Sequence, residues 1–235
     1  MRSKKPETSP KSRNTTQRNI GIPKIIVQSN CIRENQKPES KKIGLIFIVS
    51  GPSGSGKTTL IKHLLGKDEY RNNLKKAVTC TTRKPRGKEK NGQDYIFINE
   101  REFKNRIKRK EFFEWQRVLG SFYGTPQDEV EKNLLSGSDV ILCIDVKGAE
   151  FLRGNRKCRF VYIFILPSGK DWRQTLKIRL TKRSSEPQRE IEKRLKLAEK
   201  EIFRARDYDH VVINKNIEEA TDELGSIIAC ERLKG

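Results

Sequence analysis

Apolar residues in this chain come in short dense blocks separated by longer polar stretches. Ile43 to Val49 is a continuous apolar run of one strand's length, the mark of a strand buried on both faces. Val140 to Ile144, Phe160 to Leu166 and the shorter His210 to Ile213 repeat that pattern. Between the blocks, helical patterns cover residues 58–65, 128–135, 172–182, 187–205 and 217–231. Strands alternating with helices predict an α/β fold whose parallel sheet is covered on both faces. Residues 74–123 break the rhythm. Short strand patterns at 94–98, 112–116 and 120–123, with a basic helical stretch from Glu102 to Lys110, read as a small mixed insertion on the parallel core. No internal repeat is present.

Composition narrows the function. No apolar run approaches the roughly 18 residues of a membrane helix, which excludes an integral helical membrane protein. Lys and Arg total 51 against 30 Asp and Glu, a formal charge of +21, so the partner is an anion. Nucleic acid, an acidic membrane surface and small phosphates all satisfy that condition. Residues 1–42 hold eleven Lys or Arg, three Glu and no aromatic residue, and read as a basic, disordered extension. That extension lacks the apolar core of a secretory signal, and Glu7, Glu34 and Glu39 sit poorly with a mitochondrial transit peptide. The five cysteines (Cys31, Cys80, Cys143, Cys158 and Cys230) are widely spaced without a C-x-x-C, which argues against a disulfide framework or a zinc ribbon. With His63 and His210 as the only histidines, His-ligated zinc and a Ser-His-Asp triad have little to work with. A reducing compartment, the cytoplasm, is expected, with a mitochondrion or plastid as the alternative if residues 1–42 are a transit peptide.

The sharpest motif is Gly51-Pro52-Ser53-Gly54-Ser55-Gly56-Lys57-Thr58, a complete G-x-x-x-x-G-K-S/T between a buried strand and a helix. Its glycines let backbone N–H groups curl around an anion at a helix N-terminus, where the dipole favours negative charge. Lys57 is expected on the β- and γ-phosphates and the Thr58 hydroxyl on Mg²⁺, with Thr59 completing the loop. The same loop serves GTPases, motor ATPases and small-molecule kinases, so it leaves the acceptor open.

The acceptor is addressed by the segment Thr79 to Tyr95. Arg83 and Arg86, spaced by Lys-Pro, form a rigid doubly cationic corner suited to bidentate phosphate binding. The motifs T-T-R-x-P-R, N-G-x-D-Y, E-F-x-E-W and Y-G-S/T then follow in order. With the phosphate loop they make residues 43 to 232 resemble the guanylate kinase family. The resemblance implies transfer of a phosphoryl group from MgATP to GMP. It also implies a P-loop NTPase-type parallel β-sheet core flanked by helices, with an α+β GMP-binding insertion at 74–123. Residues 43–73 and 124–235 would be the core and a helical lid. By chemistry alone, a carboxylate can accept from guanine N1–H and N2–H₂, and adenine offers no such edge; Glu114 is the candidate. Thr79 and Thr125 complete base recognition by resemblance, and Arg83, Arg86, Tyr95 and Tyr123 hold the GMP phosphate.

The resemblance also reaches the second half of the chain. Asp145, ending the strand at 140–144, matches the family's I-L-D-I-D-x-Q-G and is expected to act on Mg²⁺ through water or to orient an arginine or GMP. The sequence departs there: Cys143 stands at a usually acidic position and Lys147 at a usual glutamine. Arg183 and Arg194 match the lid's phosphate-contacting arginines, with Arg179 one turn before Arg183. Asn214 matches a position that contacts the adenine of ATP. Three other readings compete: a P-loop kinase for another phosphorylated acceptor such as ribose 1,5-bisphosphate, an inactive guanylate-kinase-like peptide-binding module, and a nucleic-acid binder driven by charge. The intact Gly51, Gly56, Lys57 and Thr58 speak against the module. Against the third, the chain shows no nucleic-acid-binding signature, so any binding by the basic extension is weak and salt-dependent.

Overall fold

A computed structural model describes residues 44–153, 158–169, 171–183 and 187–234; the basic extension and Cys31 lie outside the described residues. The main layer is a five-stranded sheet, all parallel, built from β1 (Ile46–Ser50), β2 (Leu74–Lys76), β7 (Asp139–Cys143), β8 (Phe160–Pro167) and β9 (His210–Asn214), in the order β2-β7-β1-β8-β9. Residues alternate faces along a strand, so β1 feeds two cores at once. Phe47 and Val49 pack with Leu60 and Leu64 of α1 (Lys57–Gly66) and Leu224 and Ile228 of α7 (Ile217–Leu233). Ile46 and Ile48 face the opposite side, against Val130 and Leu134 of α3 (Gln127–Leu135) and Leu152 of α4 (Val146–Arg153). All five β1 residues are buried, which explains their unbroken apolar run.

The second sheet is small and mixed, in the order β4-β3-β6-β5: β3 (Cys80–Thr81), β4 (Ile96–Phe97), β5 (Phe112–Val118) and β6 (Ser121–Pro126). It encloses its own aromatic core, where Phe103 of α2 (Glu100–Lys108) stacks on Phe112 and Phe122. Asn99 caps α2 by accepting from the Glu102 N–H, so the helix starts two residues earlier than its basic stretch suggests. The lid is a hairpin of α5 (Trp172–Arg183) and α6 (Gln188–Ile202), joined by a separate core of Leu176, Leu180, Ile191 and Leu195. Among the described residues, no helix is long and apolar enough to cross a membrane.

Three differences from the sequence reading have physical causes. Leu74–Lys76 pairs with β7 and so lies in the parallel sheet, outside the insertion's own strands. The 120–123 strand continues to Pro126 because β6 pairs along β5 as far as Phe112. Helix α4 is an added element: a glycine in its first turn and only eight residues give it little periodic signal.

Candidate active site

The phosphate loop leaves the C-terminal end of β1 between its two neighbours β7 and β8, the crevice where open parallel sheets bind ligands. Gly51 (φ +139°) approaches β8 so closely that a Cβ would lie 2.4 Å from the Ile165 carbonyl oxygen. Gly56 (φ +98°) leaves no room for one either, at 2.1 Å from Asn214 Nδ2. Lys57 Nζ folds back onto the Gly51 and Pro52 carbonyls at 2.6 and 3.0 Å, poised at the loop's mouth. Asn214 Nδ2 donates to the Ser55 carbonyl at 2.7 Å, and Arg179 reaches the Gly54, Ser55 and Asn214 carbonyls at 3.3 to 3.4 Å. Both side chains thus brace the loop from behind. Asn214 is buried there rather than on the cavity wall, so the structure gives it a bracing contact where an adenine contact was expected.

One cavity of about 330 Å³ joins this loop to the insertion and the lid. Its walls bring together Gly51, Ser53, Gly54, Gly56, Lys57, Thr58 and Thr59 with Thr79, Arg83, Arg86, Tyr95, Glu114, Tyr123, Asp145 and Arg194. Residues far apart in sequence therefore share one space. Pro52 and Ser55 lie in the loop without lining it. Arg183 ends α5, and its side chain lies outside the described part of the structure.

The acceptor end is a buried, charged corner. Arg83 is clamped by both oxygens of Glu89, at 2.6 and 2.8 Å, and its guanidinium stacks 4.7 Å from the centre of the Tyr95 ring. That clamp holds its charge firmly. Tyr95 meets Tyr123 edge to face at 6.2 Å between ring centres, and burial pushes its hydroxyl up to about 12, so it remains a donor at neutral pH. Glu114 is only 3% exposed and accepts from the Thr125 hydroxyl at 2.7 Å. Burial first, then the nearby Asp145, raises its pKa to about 7. Asp145 Oδ1 accepts from the Gly148 N–H at 2.9 Å, while its buried Oδ2 has no hydrogen-bond partner among the described residues. Burial raises this carboxyl too.

From the lid, Arg194 Nη1 donates to the Ser53 hydroxyl at 3.2 Å, tying α6 to the phosphate loop. Glu190, Leu197 and Glu201 line the cavity on the same helix.

The family model described as Guanylate kinase matches residues 44–231, nearly every described residue. The chain belongs to the guanylate kinase family. It is 43% identical over 194 residues to a guanylate kinase of Wolbachia pipientis wMel, covering 83% of this chain and 94% of that one. A guanylate kinase of Thermotoga maritima is 40% identical over 81% of this chain and 89% of its own. The crystal structure of guanylate kinase from Anaplasma phagocytophilum superposes with a TM-score of 0.66 at 33% identity, over 81% of this chain and 87% of that one.

Within this guanylate kinase frame, Cys143 lines the cavity as a half-buried cysteine on the last residue of β7. Cys80, Cys143 and Cys230 are free thiols. Sequence reading missed three kinds of cavity residue. Gln116 and Val118 follow Glu114 at strand spacing, which places them on its face. Leu119, at φ +48°, turns the β5–β6 hairpin over the cavity. Glu201 stands seven residues, two helical turns, after Arg194 and so shares that arginine's side of α6.

Proposed function

We propose that this chain transfers the γ-phosphoryl group of MgATP to GMP, giving ADP and GDP. The observation that carries the reading is the shared cavity: a complete phosphate loop faces a buried carboxylate and a cationic, aromatic corner across one continuous space. Glu114, held by Thr125 with Thr79 beside the cavity, accepts from the guanine edge. Arg83, Arg86, Tyr95 and Tyr123 hold the GMP phosphate, and residues 51–59 hold the phosphates of ATP. Asp145 supports the base end beside Glu114.

The acceptor is a phosphate monoester whose second pKa is about 6, so it is already an anion near neutral pH and needs no general base. The chain's part is positioning and charge stabilisation. Lys57 and Arg194 neutralise charge on the transferring group, with Arg183 in the same role from the end of α5. Closure of the α5–α6 hairpin keeps water from the γ-phosphate.

The residues present fit a magnesium ion. Thr58 and the orphaned Asp145 Oδ2 supply hard oxygen atoms beside the loop, directly or through water. Among the described residues no group of three or more His, Cys, Asp or Glu is placed to hold a metal, which suits an ion bound mainly by substrate phosphates and water. When bound, Mg²⁺ would supply positive charge that offsets the charge of the phosphates. A cytoplasmic location belongs to the same proposal.

The test is ADP release from MgATP with GMP, AMP, CMP, UMP or ribose 1,5-bisphosphate as acceptor, with Lys57→Ala as control. Turnover with GMP alone, lost in the control, is expected. Turnover with the bisphosphate alone would replace the reading, and turnover with none by a folded, ATP-binding protein would favour a binding module.

A further inference from the structure

Arg83 carries five N–H donors in a fixed planar fork, and three of them are already used. Nη1 donates to Glu89 Oε2 at 2.6 Å and to the Lys84 carbonyl at 2.9 Å, and Nη2 donates to Glu89 Oε1 at 2.8 Å. Glu89 therefore closes the end of the fork. The two donors left, Nε–H and the second Nη2 hydrogen, point the same way along one edge of the guanidinium. Nε is buried and has no hydrogen-bond partner among the described residues. Leaving a buried donor unsatisfied is unfavourable, so this edge is complete only when a ligand brings an acceptor. Arg83 lines the cavity, so that ligand is the one the cavity holds.

The clamp is itself held. Glu89 Oε2 also accepts from the Arg86 backbone N–H at 2.9 Å, and the Glu89 N–H donates to the Arg86 carbonyl at 3.1 Å. The side chains of Arg83 and Glu89 are only 8% and 13% exposed, so water does little to loosen the pair. Tyr95 and Phe97 lie against the guanidinium, at 4.7 and 5.6 Å from their ring centres. With its end closed and these rings against it, Arg83 has the Nε–Nη2 edge left to offer. Two parallel N–H groups on one edge match two oxygens of a phosphate monoester. We infer that Glu89 is a positioning residue: it holds the end of the Arg83 fork so that the Nε–Nη2 edge takes two oxygens of the acceptor's phosphate. This rests on the GMP kinase reading above and assigns how the phosphate of GMP is read.

The experiment is the Kd for GMP and for guanosine, which lacks the phosphate, measured by calorimetry for the unaltered chain, Glu89→Gln, Arg83→Ala and the double variant. Glu89→Gln keeps an oxygen for the Arg86 N–H but turns an amide N–H₂ towards the fork, so it opens the clamp and spares the turn. A hydrogen bond to a charged group is worth a factor of roughly ten to a hundred. Kd for GMP is expected to rise by that factor in Glu89→Gln, with Kd for guanosine changed by less than about twofold. On top of Arg83→Ala, the same substitution should add nothing, because its effect runs through Arg83. A purely structural role would weaken guanosine as much as GMP or add its full effect to Arg83→Ala, and either result overturns the inference. A second measurement needs no variant to fold. The Arg83 Nε–H resonance of the unaltered chain should move when GMP is added and stay in place with guanosine; a resonance unmoved by bound GMP overturns the inference as well. Absence of GMP binding by the unaltered chain would instead sink the kinase reading, so the two failures are distinct.

Discussion

The Thr125 hydroxyl donates to Glu114 Oε1 at 2.7 Å where solvent barely reaches either residue. Thr125 and Glu114 are register partners on β6 and β5, so the two strands deliver the pair already aligned. One oxygen is fixed by the hydroxyl, and Oε2, beside Gly148, remains available for the guanine edge. Glu114→Gln turns part of that acceptor into a donor facing guanine's own donors. Sites built to hydrogen-bond a polar edge discriminate strongly when the match is lost. We expect kcat/KM for GMP to fall by at least about a hundredfold, while KM for ATP changes less than about threefold. Initial rates at varied GMP and ATP check this, and an equal rise in both KM values would remove Glu114 from base recognition.

Gly148 supplies the space in which Glu114 and Asp145 sit side by side. A Cβ there would press on both carboxylates, at 3.1 and 3.2 Å. Gly148→Ala keeps helix α4 and indeed favours it, since alanine is the better helix former by roughly 1 kcal/mol. Thermal stability is therefore expected to hold or rise slightly while KM for GMP increases about tenfold, the effect of displacing one charged hydrogen bond. A variant with unchanged KM for GMP would show that the carboxylates can move apart freely.

How much of this was legible beforehand depended on what each residue answers to. β1, β7 and β8 are buried on both faces, so their composition reports their position directly. The phosphate loop is local, fixed by glycines whose backbone needs are written in adjacent residues. Glu201 and Arg179 were harder, because their places come from which wall of the cavity α5 and α6 face, and that depends on a small separate core. Asn214's contact with the phosphate loop is likewise visible only in the fold, where its Nδ2 donates to the Ser55 carbonyl. Leu74–Lys76 is too short to announce itself; it becomes a strand because β7 offers a free edge.

Arg194 and Arg179 both reach the phosphate loop but touch different atoms. Arg194 meets the Ser53 hydroxyl on the cavity side, and Arg179 meets backbone carbonyls on the outer side. Arg194→Ala should lower kcat by at least about a hundredfold with KM for GMP nearly unchanged, because charge on the transferring group is stabilised only in the transition state. Arg179→Ala should act mainly on KM for ATP, about tenfold, by loosening the loop. A matching pattern of kcat and KM in the two variants would contradict the division of roles.

Glu114 also couples catalysis and stability to pH with opposite signs. Its folded pKa is about 7 against an ordinary 4.5, and burial is the main cause. Glu201 is raised to about 7 for the same reason. Between those two values the folded chain keeps protons that the unfolded chain has released, so the slope of stability with pH is negative. The contribution is fully present below the unfolded value and is lost as pH rises through the folded one. Without ligand, the denaturant midpoint should therefore fall between about pH 5 and about pH 8, and Glu114→Gln should flatten that fall. Catalysis runs the other way. The ionised carboxylate is the form that accepts from guanine, so kcat/KM for GMP should rise through about pH 7 in the free enzyme. GMP's donors stabilise the anion, so kcat at saturating GMP should lose that rise or shift it to lower pH. Urea titrations and pH–rate profiles of the same preparations test both slopes, and parallel rather than opposite trends would rule out Glu114 as their common origin.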